Sequence, residues 1–172
     1  MSAFAGIESA SVSGGGSRNF EPGNYVVRLE GLKIVESKKA PGVRYAIVEC
    51  NVRSYEPGVR PHSDDTLAPT PLPANTFMQG DEVAWKVNMS LGRVSLDNLK
   101  GFGLAVMKAV AMESGQDQAS ITEVQITPPV MDTLFAPNGS PAIGLEMKVE
   151  AFTIFTRANN PFTKVRWSPK AS

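Results

Sequence analysis

The sequence has little of what disulfide-linked, metal-binding and membrane-spanning proteins require. Its 172 residues include one cysteine, Cys50, and one histidine, His62. A single cysteine excludes an internal disulfide framework, and a single histidine excludes most zinc sites. No apolar run approaches the roughly eighteen residues of a membrane span, and the N-terminus lacks the basic start and apolar core of a secretory signal. We therefore expect a cytoplasmic protein with no structural metal or other cofactor.

The composition is ordinary for one globular domain, with 42% hydrophobic and 20% charged residues. Residues 1–19 are small and polar, and Gly14, Gly15 and Gly16 follow one another, which is typical of a flexible arm. We expect the globular part to begin near Phe20. The sequence thus predicts an arm over 1–19 and a single domain over 20–172 with a short basic C-terminal tail.

The formal net charge is zero, but the charges are unevenly distributed along the chain. Residues 18–60 carry a net charge of +3, residues 61–150 a net charge of −6, and residues 151–172 a net charge of +4. If the two basic ends meet in the fold, a neutral protein still presents one positive face. Chance clustering on a solvated surface is the alternative.

The first two strands are predicted from alternating apolar residues. In Tyr25–Glu36 the apolar parity changes after Gly31, which indicates a bulge or a bend at that glycine. The second strand runs from Val43 to Tyr55 and has small apolar residues at its even positions, which we expect to face inward. Its odd positions, expected to face solvent or a ligand, are Tyr45, Ile47, Glu49, Asn51, Arg53 and Tyr55.

The remaining pattern adds one helix and at least three strands. Residues 56–80 contain five prolines and predict a long loop without strands. Beyond the loop we expect strands over Asp81–Met89, Ile121–Thr127, Ile143–Arg157 and Phe162–Trp167, with a helix over Ser95–Glu113 capped by Ser95. The order favours a mainly β protein of the OB-fold type, a barrel of five to six strands with one helix between the third and fourth. A generic β-sandwich with an added helix is the alternative.

Enzyme motifs are missing from this pattern. The chain has neither a phosphate-binding G-x-x-x-x-G-K-[ST] loop nor a G-x-S-x-G nucleophile elbow. His62 lies alone in the proline-rich loop, and Cys50 alternates with valines on the inward face of the second strand. Asp64 and Asp65 together with Asp81 and Glu82 offer oxygen ligands for a divalent cation, but a solvated acidic loop explains them as well. We therefore expect a protein that is not an enzyme.

Basic and aromatic residues interleave at outward positions, which is typical of single-stranded nucleic-acid binding. Cations contact the phosphates, and exposed rings stack on unpaired bases. Trp85 and Trp167 alternate with valines and are expected in the core. The candidate single-stranded DNA-binding residues are Lys38, Lys39, Arg44, Tyr45, Arg53, Tyr55, Lys86, Arg157, Phe162, Lys164 and Arg166.

Three stretches of the chain stand out as recognisable motifs: Pro22–Val27, then Ser37–Lys39 with the strand Tyr45–Cys50, and the closing segment Phe155–Trp167. Together they resemble a family of bacteriophage-encoded single-stranded DNA-binding proteins with an OB fold. The resemblance extends in order and spacing over residues 20–167. It differs at the C-terminus, where the chain ends Trp-Ser-Pro-Lys-Ala-Ser rather than in the acidic tail common in such proteins.

The resemblance implies sequence-independent protection of single-stranded DNA during phage replication or recombination. It places binding on the open face of the barrel and its loops, in the cytoplasm of the infected host cell. Expected partners are single-stranded DNA, phage or host replication and recombination proteins, and further copies of this chain, with no membrane. The rival hypothesis is a phage structural or assembly protein that uses its barrel and long loops for protein contacts.

Overall fold

A computed structural model describes residues 18–170, and this part of the chain is mainly β, with a curled six-stranded sheet and two helices. The strands are β1 Arg18–Asn19, β2 Gly23–Glu36, β3 Arg44–Pro57, β4 Val59–Arg60, β5 Thr70–Pro71, β6 Glu82–Asn88, β7 Glu146–Phe155 and β8 Pro161–Pro169. The α-helices are α1 Arg93–Glu113 and α2 Pro128–Leu134. Short 3-10 helices span Met89–Leu91, Gln118–Ser120 and Glu123–Gln125.

Strand β2 organises the main sheet, whose order is β1-β6-β3-β2-β7-β8. Its whole length pairs with β3, whereas only its first part, Gly23–Arg28, pairs with β7. The register against β3 shifts between Leu29 and Gly31. This irregularity confirms the bulge predicted at Gly31, and such a bulge increases the local bend and twist of a strand.

The core lies on the inner side of the curled sheet. The even residues of the second predicted strand, Ala46, Val48, Cys50 and Val52, are all at most 2% exposed, as the alternation predicts. Trp85 and Trp167 pack against this core, which confirms their expected place. The buried side of α1, including Leu99, Phe102 and Val106, covers the same core.

A second register shift lies near the end of the β2–β3 pair. Because of this shift, the orientation of Tyr55 is the reverse of the one predicted. Val26 pairs with Ser54 and Val27 with Val52, so Arg53 is the extra residue of a bulge. The parity of β3 therefore changes after Val52, and Tyr55 turns toward the core. Ile47 is also predicted to face solvent, but it is 1% exposed because it packs with Val35 and Ala84 on the outer side of the sheet.

The segment between α1 and β7 is helical, so the predicted strand over Ile121–Thr127 is wrong. Thr122 and Gln125 form a reciprocal capping box that begins the 3-10 helix Glu123–Gln125. Pro128 and Pro129 then occupy the first turn of α2, where a missing N–H is tolerated. Local capping overrides the β-branched character of this segment.

Three smaller predictions also need correction. Helix α1 begins at Arg93 after the N-cap Gly92, so the expected cap Ser95 lies inside the helix and is buried. Leu96 repeats with Leu99 and Val106 at helical spacing, which predicts a place on their apolar side of the helix, but it is 54% exposed. The proline-rich loop is not free of strands, because β4 pairs with β5 within it.

The predicted arm lies mostly outside the described residues. Its last two residues, Arg18 and Asn19, form β1, which pairs in parallel with Val83 and Ala84 of β6. The Arg18 guanidinium also donates a hydrogen bond to the Thr76 carbonyl at 2.7 Å and lies 4.0 Å from the centre of the Phe77 ring. Arg18 and Asn19, predicted to belong to the arm, are thus paired with the main sheet.

Candidate nucleic-acid interface

The turn between β2 and β3 presents a group of cations at one end of the sheet. Ser37 N donates to the Val43 carbonyl at 2.8 Å and closes the turn. Gly42 has a φ of 88°, a conformation that suits glycine. Lys38, Lys39 and Arg44 are exposed around this turn. Its cations are therefore accessible to a polyanion.

The outer side of β3 and β6 continues from this turn. Tyr45 pairs with Asn88, and Ile47 pairs with Lys86 on the neighbouring strand. Tyr45 and Lys86 are partly buried, and Tyr45 packs against the small cluster of Val35, Ile47 and Ala84. The Tyr45 ring therefore has a structural contact in addition to its surface position.

The β7–β8 hairpin carries the second group of candidates. Phe162, Lys164 and Arg166 alternate on one side of β8, as predicted, and oppose Ile154, Phe152 and Glu150 of β7. Phe162 is 52% exposed. Arg157 is exposed in the hairpin turn, where Thr156 N donates to the Asn160 carbonyl at 2.9 Å.

Ion pairing separates the candidate cations into two classes. Arg53 lies 3.7 Å from a carboxylate oxygen of Glu146, and Arg166 lies 3.4 Å from one of Glu150 and 4.8 Å from the centre of the Phe152 ring. The guanidinium groups of Arg53 and Arg166 therefore already have carboxylate partners. Within residues 18–170, no ion pair is formed by Lys39, Arg44, Lys86, Arg157 or Lys164.

The carboxylate that engages Arg53 belongs to a small charged cluster. Lys170 donates a hydrogen bond of 2.8 Å to Glu146, and this contact, with smaller contributions from Arg53 and Arg28, lowers the pKa of Glu146. Glu146 therefore stays ionised at neutral pH, and Arg53 has this carboxylate as its partner.

Tyr55 does not belong to the candidate interface. Its ring centre lies 4.8 Å from that of Tyr25 and 5.4 Å from that of Phe77, and its hydroxyl donates to the Pro22 carbonyl at 2.9 Å. The bulge at Arg53 causes this placement. The predicted common face of Tyr45, Arg53 and Tyr55 is therefore wrong.

A groove between β6 and β8 brings two predicted residues together from distant parts of the chain. Lys86 lies on one side and Phe162 on the other, and the groove has a volume of about 350 Å³. Its lining residues are Asn19, Phe20, Ala84, Trp85, Lys86, Pro161, Phe162, Thr163 and Val165.

Sequence reasoning missed three residues near this surface. Asn19 and Phe20 line the groove because β1 pairs with β6, and no sequence pattern indicates that pairing. The sequence does carry a signal for Phe152, because Met147, Val149 and Ala151 alternate as apolar residues and Phe152 falls on the other side of the strand. The alternation of that strand therefore predicts the ring that Arg166 contacts.

No protein-family model matches the chain, and no curated protein matches it. No helix in the described part of the chain is long and apolar enough to span a membrane. Among residues 18–170, no three His, Cys, Asp or Glu side chains are grouped closely enough to hold a metal ion. The residues of the β2–β3 turn, of β6 and of the β7–β8 hairpin are therefore the only basis for a functional proposal.

Proposed function

We propose that this protein binds single-stranded DNA without strong sequence preference and without chemistry on the nucleic acid. The observation that carries the proposal is the groove in which Lys86 and Phe162 oppose each other. Tyr45 lies on the same side of the sheet as Lys86, and Arg44 precedes it at the end of the basic β2–β3 turn. The arrangement offers cations to phosphates and rings to bases along one surface.

The order of the long strands supports an OB-type barrel. The sequence of neighbours β6-β3-β2-β7-β8 makes β2, the first long strand, the shared member of two antiparallel pairs. Helix α1 follows β6 in the chain and precedes β7. OB folds bind oligonucleotides on the face of their second and third strands, between the first hairpin loop and the last. Here those elements correspond to β3 and β6, the turn before Arg44, and the turn that contains Arg157.

The cations without acidic partners support the electrostatic part of the proposal. Seven ion pairs engage most of the other basic side chains of the sheet and its loops. Lys39, Arg44, Lys86, Arg157 and Lys164 keep their charge available for phosphates. A protein of zero formal net charge thereby presents a locally positive surface.

The resemblance to phage single-stranded DNA-binding proteins suggests the biological setting. We propose a role in protecting single strands during phage replication or recombination, in the cytoplasm of the host cell.

Variants that separate charge from stacking test the proposal. The double variant Lys39→Ala/Arg44→Ala should weaken binding of an oligo(dT) and flatten the plot of log affinity against log salt concentration by about 0.7 for each phosphate that is no longer neutralised. Phe162→Ala should weaken binding with the slope nearly unchanged, because stacking releases no counterions. Fluorescence anisotropy of a labelled oligonucleotide measures both quantities.

The matched control is the double variant Lys100→Ala/Lys108→Ala on α1, a helix that contributes no residue to the groove. Neither lysine forms an ion pair within residues 18–170. An equal loss of salt dependence in this control would show that net charge alone governs binding and would contradict the proposed surface.

One observation favours the rival role in assembly. Leu91, in the 3-10 helix before α1, and Val94, in the first turn of α1, are each 72% exposed, and Leu96 is 54% exposed. Exposed apolar side chains that lie together mark protein contact sites in many proteins. If oligo(dT) does not bind and the protein instead forms defined oligomers that Leu91→Asp disrupts, the assembly role replaces the DNA-binding role.

A further inference from the structure

The groove between β6 and β8 is a break in the curled sheet. Both strands run in the same direction as β2, because two successive antiparallel pairings connect each of them to β2. Within the described residues no ladder joins them, and β1 pairs with β6 only at Val83 and Ala84. The edge of β6 beyond Ala84 and the start of β8 therefore border an open groove.

The lining of this groove combines aromatic rings with polar groups. Phe20, 4% exposed, and the partly buried Trp85 line the groove together with the exposed Phe162. The polar and charged residues of the lining are Asn19, Lys86 and Thr163. The volume of about 350 Å³ lies at the lower end of the range for small-molecule sites.

We propose that this groove holds one unpaired nucleobase of the bound strand, an inference that rests on the proposed function. A nucleobase has two apolar faces and a polar edge, which matches an aromatic lining with a few polar groups. Lys86 at the rim lies within reach of the phosphate beside that base. The groove also continues the proposed interface, because Lys86 and Phe162 belong to both.

The position of the groove gives this base a different role from bases stacked on the surface. A base on an exposed ring is held by its face and can be replaced by any other base. A base between two strand edges also meets Asn19, Thr163 and the backbone, whose polar groups contact its edge. We therefore expect one nucleotide of each bound segment to be protected from solvent and to differ in affinity among the four bases.

Photo-crosslinking locates that base in the wild-type protein. A thirty-nucleotide oligo(dT) with 5-iododeoxyuridine at single positions is bound, irradiated and digested, and the crosslinked peptides are identified by mass spectrometry. Crosslinks to Phe20, Trp85 or Phe162 are the expected result. Binding with crosslinks confined to Tyr45 and the β2–β3 turn would overturn the groove while leaving the proposed function intact.

A groove-filling variant provides the second measurement. Thr163→Phe adds a ring to the groove and should lower affinity for oligo(dT) by about tenfold, the effect of losing one stacked base. The control Thr153→Phe adds the same ring to β7 at the cross-strand partner of Thr163, which does not line the groove, and should leave affinity within about twofold.

The outcomes separate the two proposals. Equal affinities of both threonine variants and wild type would overturn the groove alone. No binding of oligo(dT) by the wild-type protein would overturn both the groove and the proposed function. If Thr163→Phe does not fold, the crosslinking result on the wild-type protein decides the matter.

Discussion

Three rings near the start of the domain tie the proline-rich loop to the sheet. Tyr25, Tyr55 and Phe77 lie within 5.4 Å of one another by ring centres. The Tyr25 hydroxyl accepts a hydrogen bond from Glu21 N at 3.0 Å and donates one to the Glu21 carbonyl. Aromatic contacts of this kind stabilise a fold beyond the area they bury. The cluster thus gives Tyr55 a role in the stability of the fold.

Substitution of Tyr55 tests this role. Tyr55→Ala should lower the free energy of unfolding by about 2 kcal/mol or more, because it removes a packed ring and opens space beside Phe77. Tyr55→Phe should cost about 1 kcal/mol, the net value of one hydrogen bond. Urea denaturation followed by circular dichroism measures both. A smaller loss for Tyr55→Ala than for Tyr45→Ala would contradict the assigned orientations.

The two buried phenols also predict how stability responds to alkaline pH. Burial raises the pKa of Tyr25 strongly, although its hydrogen bond to Glu21 acts in the opposite direction, and burial also raises the pKa of Tyr55. The folded state therefore keeps protons that the unfolded state loses. Stability from this source is complete below the ordinary tyrosine pKa of about 10 and decreases as the pH rises above it.

Urea denaturation at about pH 8 and about pH 11 checks this dependence. The free energy of unfolding should decrease over this interval, and Tyr25→Phe should reduce the decrease because phenylalanine does not titrate. An identical decrease in wild type and Tyr25→Phe would show that Tyr25 ionises as easily in the folded state as in the unfolded state.

At the scale of elements, two glycines of β2 approach residues of β3 closely. Gly23 begins β2 with a φ of 151°, and a Cβ there would lie 2.5 Å from the Glu56 carbonyl oxygen and 2.5 Å from a Tyr55 ring carbon. A Cβ at Gly31 would lie 2.9 Å from a carboxylate oxygen of Glu49, which is the end of a flexible side chain. The two glycines therefore differ in how much they constrain the strand.

The pair Gly23→Ala and Gly31→Ala tests that difference. Gly23→Ala should lower the free energy of unfolding by about 2 kcal/mol or more, since it combines an unfavourable backbone conformation with a contact to backbone. Gly31→Ala should cost under about 1 kcal/mol, because Glu49 can rotate away. Equal losses in thermal or urea denaturation would mean that close approach at Gly23 does not constrain the start of β2.

The elements differ in how well the sequence predicts them, and the reasons are physical. The bulge at Gly31 is predictable because the apolar pattern changes parity at a glycine. The bulge at Arg53 is not predictable, because Arg53 and Ser54 are both polar. Their pattern does not show on which side of the sheet Tyr55 lies. The segment 121–127 contains β-branched residues, but Thr122, Gln125 and the following prolines favour capped helical turns. Alternation alone therefore predicts Phe162 and Lys164 correctly and misplaces Tyr55.

On the scale of the whole molecule, the candidate site depends on tertiary contacts that local pattern cannot supply. The sequence predicts Lys86 and Phe162 as separate outward residues. Only the curl of the sheet brings them to one groove, and only the pairing of β1 with β6 adds Asn19 and Phe20. The same curl separates Arg53 from this groove and leaves it beside Glu146. The sequence therefore predicts that a lysine and a phenylalanine lie on the surface, but only the fold shows that they line the same groove.

Binding of single-stranded against double-stranded DNA tests the central proposal most directly. Affinity is measured for a thirty-nucleotide oligo(dT) and for a duplex of equal length, each at low and at high salt. We predict tighter binding of the single strand, because duplex bases are already stacked and cannot reach Phe162, and weaker binding of both as salt rises. No binding of oligo(dT) at low salt and micromolar protein, or equal affinity for the duplex, would contradict the proposed function.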